Sequence, residues 1–130
     1  MNEDDALSLG TARVGGTTLD LTFGIGSGLF HAKGDPENVF YALTDRGPNL
    51  DRDDAAAMLS IEAGLLGADG EAGKVFPLPA FAPAIFKIEL GEGGAIKVLE
   101  RITLADAKGK PITGLPNPLK AAPTEIAFDK

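Results

Sequence analysis

Six consecutive residues, Thr44-Asp45-Arg46-Gly47-Pro48-Asn49, put an acid, a base and a carboxamide within one turn. They follow Val39, Phe40, Tyr41 and Leu43, a run of β-branched, aromatic and large aliphatic residues that predicts a strand packed on both faces. Gly47 permits unusual backbone angles, Pro48 fixes its own, and Asn49 can bond its own backbone. An acid and a base at the end of a rigid strand are placed where a protein can hold charges for chemistry. The same pair can equally do no more than close the turn, solvated and worth little energetically.

Other familiar chemistries find less support. There is no cysteine, so thiolate catalysis and disulfides are excluded. His31 is the only histidine, so any Ser-His-Asp triad within these residues has to use it. A lone histidine at a strand end is more often a hydrogen-bonded structural group. Gly24-Ile-Gly-Ser-Gly28 lacks the third glycine and the following helix of a dinucleotide fingerprint, and Ser27 directly follows Gly26, which is the wrong spacing for a nucleophile elbow. What remains is a tight crossing of backbone on backbone. Asn49-Leu-Asp51-Arg-Asp53-Asp54 alternates oxygen ligands. Counted from Asn49, however, an EF-hand loop would need Gly where Asp54 stands and Glu where Ser60 stands. It reads instead as a solvated acidic turn, with Asp53 capping a helix.

The elements that must position these residues are short strands. In 130 residues there are 17 glycines and 9 prolines, and 44% of residues are hydrophobic, which indicates an ordered, turn-rich domain with a real core. The net charge of −7 argues against nucleic acid as a partner, although a metal cation could still bring a phosphate ester to an acidic protein. No apolar run is long enough to span a membrane. The acidic start Met1-Asn2-Glu3-Asp4-Asp5 lacks the order of a signal peptide.

In chain order, residues 1–16 read as a lead-in, loose over its first ten residues. Thr17–Phe23 alternates as a half-buried strand with Leu19, Leu21 and Phe23 inward. Leu29-Phe30 forms a short buried strand, and Gly34-Asp35-Pro36 turns it antiparallel onto Val39–Thr44. Residues 53–74 form an insertion in which Asp53–Leu66 is either a helix, ended by Gly67, or a loop. Prolines 77, 79 and 83 rule out a central strand and send Val75–Pro83 over the surface. Ala84–Leu90 and Ile96–Leu104 form a hairpin across Gly91-Glu-Gly-Gly94, with Phe86, Ile88 and Leu90 on one side. Asp106–Gly109 turns the chain into a proline-pinned loop, Pro111–Pro118. Thr124–Phe128 begins a strand with no later partner, which carries the expectation that these residues belong to something larger.

Four segments in order resemble the N-terminal part of the phytase-like family, also described as having the esterase-like activity of phytase. They are Gly26–Phe30, Phe40–Asn49, Phe76–Ile88 and Gly109–Pro118. The resemblance runs from about Thr17 to Phe128. It implies an all-β fold, the first one or two blades of a β-propeller of short antiparallel strands, completed by residues not in this chain, because blades bury their faces against neighbours. It further implies metal-dependent hydrolysis of phosphate esters, phosphotriesters included, with calcium or manganese. A periplasmic or secreted location follows from the same resemblance, with the remainder of the propeller and a phosphorylated small molecule as partners. Carried over by residue, Asp45 would bind the cation or orient water, Arg46 would grip a phosphoryl oxygen, and Asn49 would complete the substrate-binding rim. The alternative is a non-catalytic propeller module that binds a ligand or a protein. A further one is a small self-contained β domain.

Overall fold

The computed structural model describes residues 6–66, 73–115 and, as backbone only, 125–127. The expectations for residues 1–5, for the link after Leu66 and for Pro116–Pro118 lie outside these. The described chain is mostly β-strand in antiparallel sheets with little helix.

Its centre is a four-stranded antiparallel sheet in the order β3-β4-β7-β8, formed by Gly28–Phe30, Val39–Leu43, Ala84–Leu90 and Ile96–Thr103. Period-two alternation aims Ala42, Ala84, Phe86 and Ile88 into one core with Phe23 and Phe81. Phe86 is fully buried, its ring 5.0 Å from that of Phe23 in an edge-to-face arrangement, and the Phe81 ring lies 5.5 Å from Phe23. The β7–β8 hairpin forms as its alternation predicts, with a register shift at Lys87/Ile88 that leaves Leu99 as the extra residue of a bulge.

Two smaller sheets flank this one. Ser8–Val14 (β1) pairs antiparallel with Thr17–Thr22 (β2), and Gly15, at φ +60, makes the turn between them. Part of the expected lead-in is therefore strand. A Cβ on Gly15 would stand 2.3 Å from the Met58 carbonyl oxygen, so this turn lies directly on the helix. The third sheet has the order β5-β6-β9, from Leu50–Asp51, Lys74–Phe76 and Glu125–Ala127. Here β6 pairs parallel with β9. The strand read as having no later partner is paired with one earlier in the chain, and not every strand pair is antiparallel.

The helix, α1, spans Arg52–Leu59 and is shorter than the 53–66 expectation. Ser60 adopts a left-handed conformation at φ 56 and ends it, seven residues before the expected stop at Gly67. A 3-10 turn follows at Ala63–Leu66. Asp51, not Asp53, occupies the N-cap, without a side-chain cap bond. Asp53 lies in the first turn, where a negative charge suits the helix dipole, and pairs with Arg52 at 3.6 Å.

Three burial expectations change. Leu29 and Phe30 are in a strand but each is 65% exposed, because β3 is a three-residue edge with nothing laid over it among the described residues. In the Val39–Leu43 strand Val39 and Ala42 are buried on opposite faces, while Leu43 at its end is partly open. Val75 and Phe76 form the middle strand of their sheet before Pro77 stops it, and Phe81 enters the core, so both ends of the proline-rich path are buried while Ala80 between them reaches the surface.

Candidate functional site

Strand direction decides where the polar turn lies. β3 begins, β4 ends, β7 begins and β8 ends at the same end of the four-stranded sheet. The connections 24–27, 44–49, 81–83 and 104–115 therefore gather at that rim. All four segments that carry the resemblance contribute to it. The turns at 31–38 and 91–95 occupy the opposite end.

Thr44 anchors the rim. It is buried, and its backbone N–H continues the ladder to the Ala84 carbonyl at 3.0 Å. Its hydroxyl accepts from the Ala84 N–H at 3.0 Å and donates to the Asp45 carbonyl at 3.0 Å. A buried hydroxyl with both capacities met holds the start of the turn firmly.

Asp45 is exposed at the tip. Its Oδ1 accepts the Gly47 N–H at 2.8 Å, an Asx-type closure of the turn. Its Oδ2 faces Gly24, where an added Cβ would stand 4.0 Å away. Asn49 uses its Nδ2 to donate to the Gly47 carbonyl at 3.2 Å. Both polar side chains thus spend one group on the turn, as a purely structural role requires. The Asp45 carboxylate keeps a second oxygen toward the rim. The Arg46 guanidinium lies over the Phe76 ring at 5.5 Å from its centroid, a cation–π geometry that orients the side chain across the neighbouring sheet.

The turn is also gripped from below and beside. Gly47 is buried with φ +116, and a Cβ there would come 2.6 Å from Phe81 Cδ1. Gly114 approaches closer still, and its N–H donates to the Phe81 carbonyl at 3.3 Å. Thr44, Phe81 and Gly114 were not singled out by the sequence reading. The Thr-Gly-Leu-Pro run around Gly114 was its only signal, and that run does not say what the glycine approaches.

The arrangement offers one anionic oxygen, one cation stacked on a ring and several fixed backbone dipoles. It can orient a water or present a charge to a ligand. No group of three or more His, Cys, Asp or Glu residues able to hold a metal occurs among the described residues. A hard cation takes six or more oxygen ligands, so Asp45 and its described neighbours do not by themselves compose a calcium or manganese site. The acidic run 51–54 is engaged in ion pairs: Asp51 with Lys74, and Asp53 with Arg52. His31 lies at the opposite end of the sheet. Its Nδ1 is 2.8 Å from the Val39 carbonyl and its ring packs on Phe40, so it is a structural group away from this rim.

A second polar cluster escaped the sequence reading. Lys87 Nζ lies 3.4 Å from Asp35 Oδ1 and 5.3 Å from the centroid of the Tyr41 ring. A side-chain hydrogen bond with Tyr41 and then the negative charge of Asp35 raise the Lys87 pKa above its ordinary 10.5, against the opposing effect of burial. The pair register that sets Tyr41 beside Lys87 produces this cluster.

The chain was compared with family models, curated proteins and solved structures, and none of the three comparisons gave a match.

Proposed function

We propose that this chain is the N-terminal portion of a β-propeller hydrolase acting on phosphate esters, with the Asp45–Asn49 turn on the rim of its site. The observation that carries the reading is that the described parts of all four resemblance-bearing segments contribute connections to one end of a single four-stranded antiparallel sheet. A sheet of this kind is the unit from which propeller blades are made. In this reading Asp45 orients the attacking water through its outer oxygen, and Arg46 binds a phosphoryl oxygen once it leaves the Phe76 ring. The divalent metal, calcium or manganese, is held chiefly by ligands from the remainder of the propeller.

The test is hydrolysis of p-nitrophenyl phosphate and of a nitrophenyl phosphotriester by the natively purified protein, in whatever assembly its intact mass reveals, with each metal added. Asp45→Asn, which keeps an oxygen to accept the Gly47 N–H, lowers turnover by roughly 10²-fold or more with little change in melting temperature. Unchanged turnover rejects a role for Asp45 in the reaction.

The second reading, a non-catalytic module that binds a ligand or protein, has its own observation. An open groove of about 530 Å³ beside β3 is lined almost wholly by apolar groups, among them Leu29, Phe30, Leu43 and Ile85. An inactive protein that still assembles with a larger chain would favour it.

A further inference from the structure

We infer that the Pro111–Leu115 loop is a clamp that sets the aim of the Asp45–Arg46 turn, with Gly114 as the positioning residue. The inference deepens the proposed hydrolase reading and rests on it for its consequence in catalysis. The geometry of the clamp stands apart from that reading.

The loop is tied at two points. The Ile112 N–H donates to the Leu104 carbonyl at 3.1 Å, and the Gly114 N–H donates to the Phe81 carbonyl at 3.3 Å. Leu104 is itself tied through its N–H to the Pro83 carbonyl at 2.8 Å. Thus fixed, Gly114 lies against the backbone of the turn. A Cβ on it would stand 1.7 Å from the Arg46 carbonyl oxygen, 2.5 Å from the carbonyl carbon and 2.8 Å from its Cα. No side-chain rotation can relieve a clash with backbone. Either the loop or the turn must move by an ångström or more, a displacement that costs about 10²-fold in a site that depends on orientation.

Gly114 is also a clean probe. Unlike Gly47, it has no positive φ, so alanine brings proximity and no backbone strain. The turn is held at its start by Thr44 and below by Phe81, so a displacement forced at Gly114 is delivered to the backbone between them, Asp45–Gly47. Gly26, near the same rim, has nothing within 4 Å of its added Cβ and supplies the control.

The experiment follows the Gly47 amide in ¹⁵N-labelled protein, because that N–H bonds the Asp45 carboxylate. Gly114→Ala should displace the Gly47 cross-peak and lower p-nitrophenyl phosphate turnover by ~10–100-fold, while Gly26→Ala leaves both in place. A folded Gly114→Ala protein with an unmoved Gly47 amide overturns the clamp. A displaced amide in a protein whose wild type never hydrolyses the ester upholds the clamp and rejects the hydrolase reading. Should Gly114→Ala not fold, hydrogen exchange on the wild type decides. The Gly47 and Gly114 amides open at one common rate if the loop and the turn are a unit, and unrelated rates overturn it.

Discussion

The two sides of the four-stranded sheet are finished to different degrees. On one, Ala42, Ala84, Phe86 and Ile88 are sealed under Phe23 and Phe81. On the other, cross-strand pairing aligns Gly28, Leu43, Ile85 and Ile102 in one row, and Leu43 and Ile102 are 37% and 41% exposed. Adjacent residues at the end of one strand show the contrast: Ala42 is 1% exposed and Leu43 is partly open. The apolar character of a strand predicts that it can be buried from both sides. Burial itself depends on whether a second layer is present, and among the described residues the row from Gly28 to Ile102 has none laid fully over it.

The sharpest way to break this comparison is to truncate one phenylalanine from each region. Phe86→Ala should cost about 3–5 kcal/mol, from lost transfer free energy and the cavity left among Phe23, Ala42 and Ile88. Phe30→Ala, at a 65% exposed position, should change stability by no more than about 0.5 kcal/mol. Denaturant melts of both variants measure the difference. Equal losses would mean that the open side is covered in solution. A smaller effect sharpens the contrast through its polar edge. Because folding raises the Lys87 pKa, the stabilisation it brings is full below pH 10.5 and is lost as pH rises through the folded value. Lys87→Met should therefore flatten the alkaline limb of the stability profile, and an identical limb in both proteins would remove Tyr41 and Asp35 as effective partners.

Where a segment's fate depended on its own residues, the sequence was a good guide. The β7–β8 hairpin and the β2 strand follow from alternation and a glycine turn, and the Asp106–Gly109 turn is closed as its residues suggest, with the Asp106 carboxylate accepting two backbone N–H groups. Asp45, Arg46 and Asn49 stand on a strand-end turn, as read. What the sequence did not disclose depended on partners distant in the chain. Ser60 can end a helix only because a left-handed residue is tolerated there, a property that composition does not encode. Gly114 and Phe81 meet the polar turn from 30 or more residues away, and no local pattern marks that approach. Val75–Phe76 become a central strand because partners arrive on both sides, despite the proline that follows.

One of those partners also sets the order of assembly. Lys74 on β6 is paired with Glu125 on β9, in parallel, so the third sheet closes a loop of about fifty residues. Hairpins such as β1–β2 and β7–β8 close over a few residues and can form within microseconds. Distant parallel pairing has a larger chain entropy to overcome and comes late. During refolding the Val75 amide should gain protection from exchange after the Phe86 amide, and simultaneous protection would show that the molecule condenses in one step. On a ribosome the same order leaves one edge of β6 unpaired until the chain beyond residue 127 has emerged, so the apolar pair Val75 and Phe76 stays open to a chaperone over that interval.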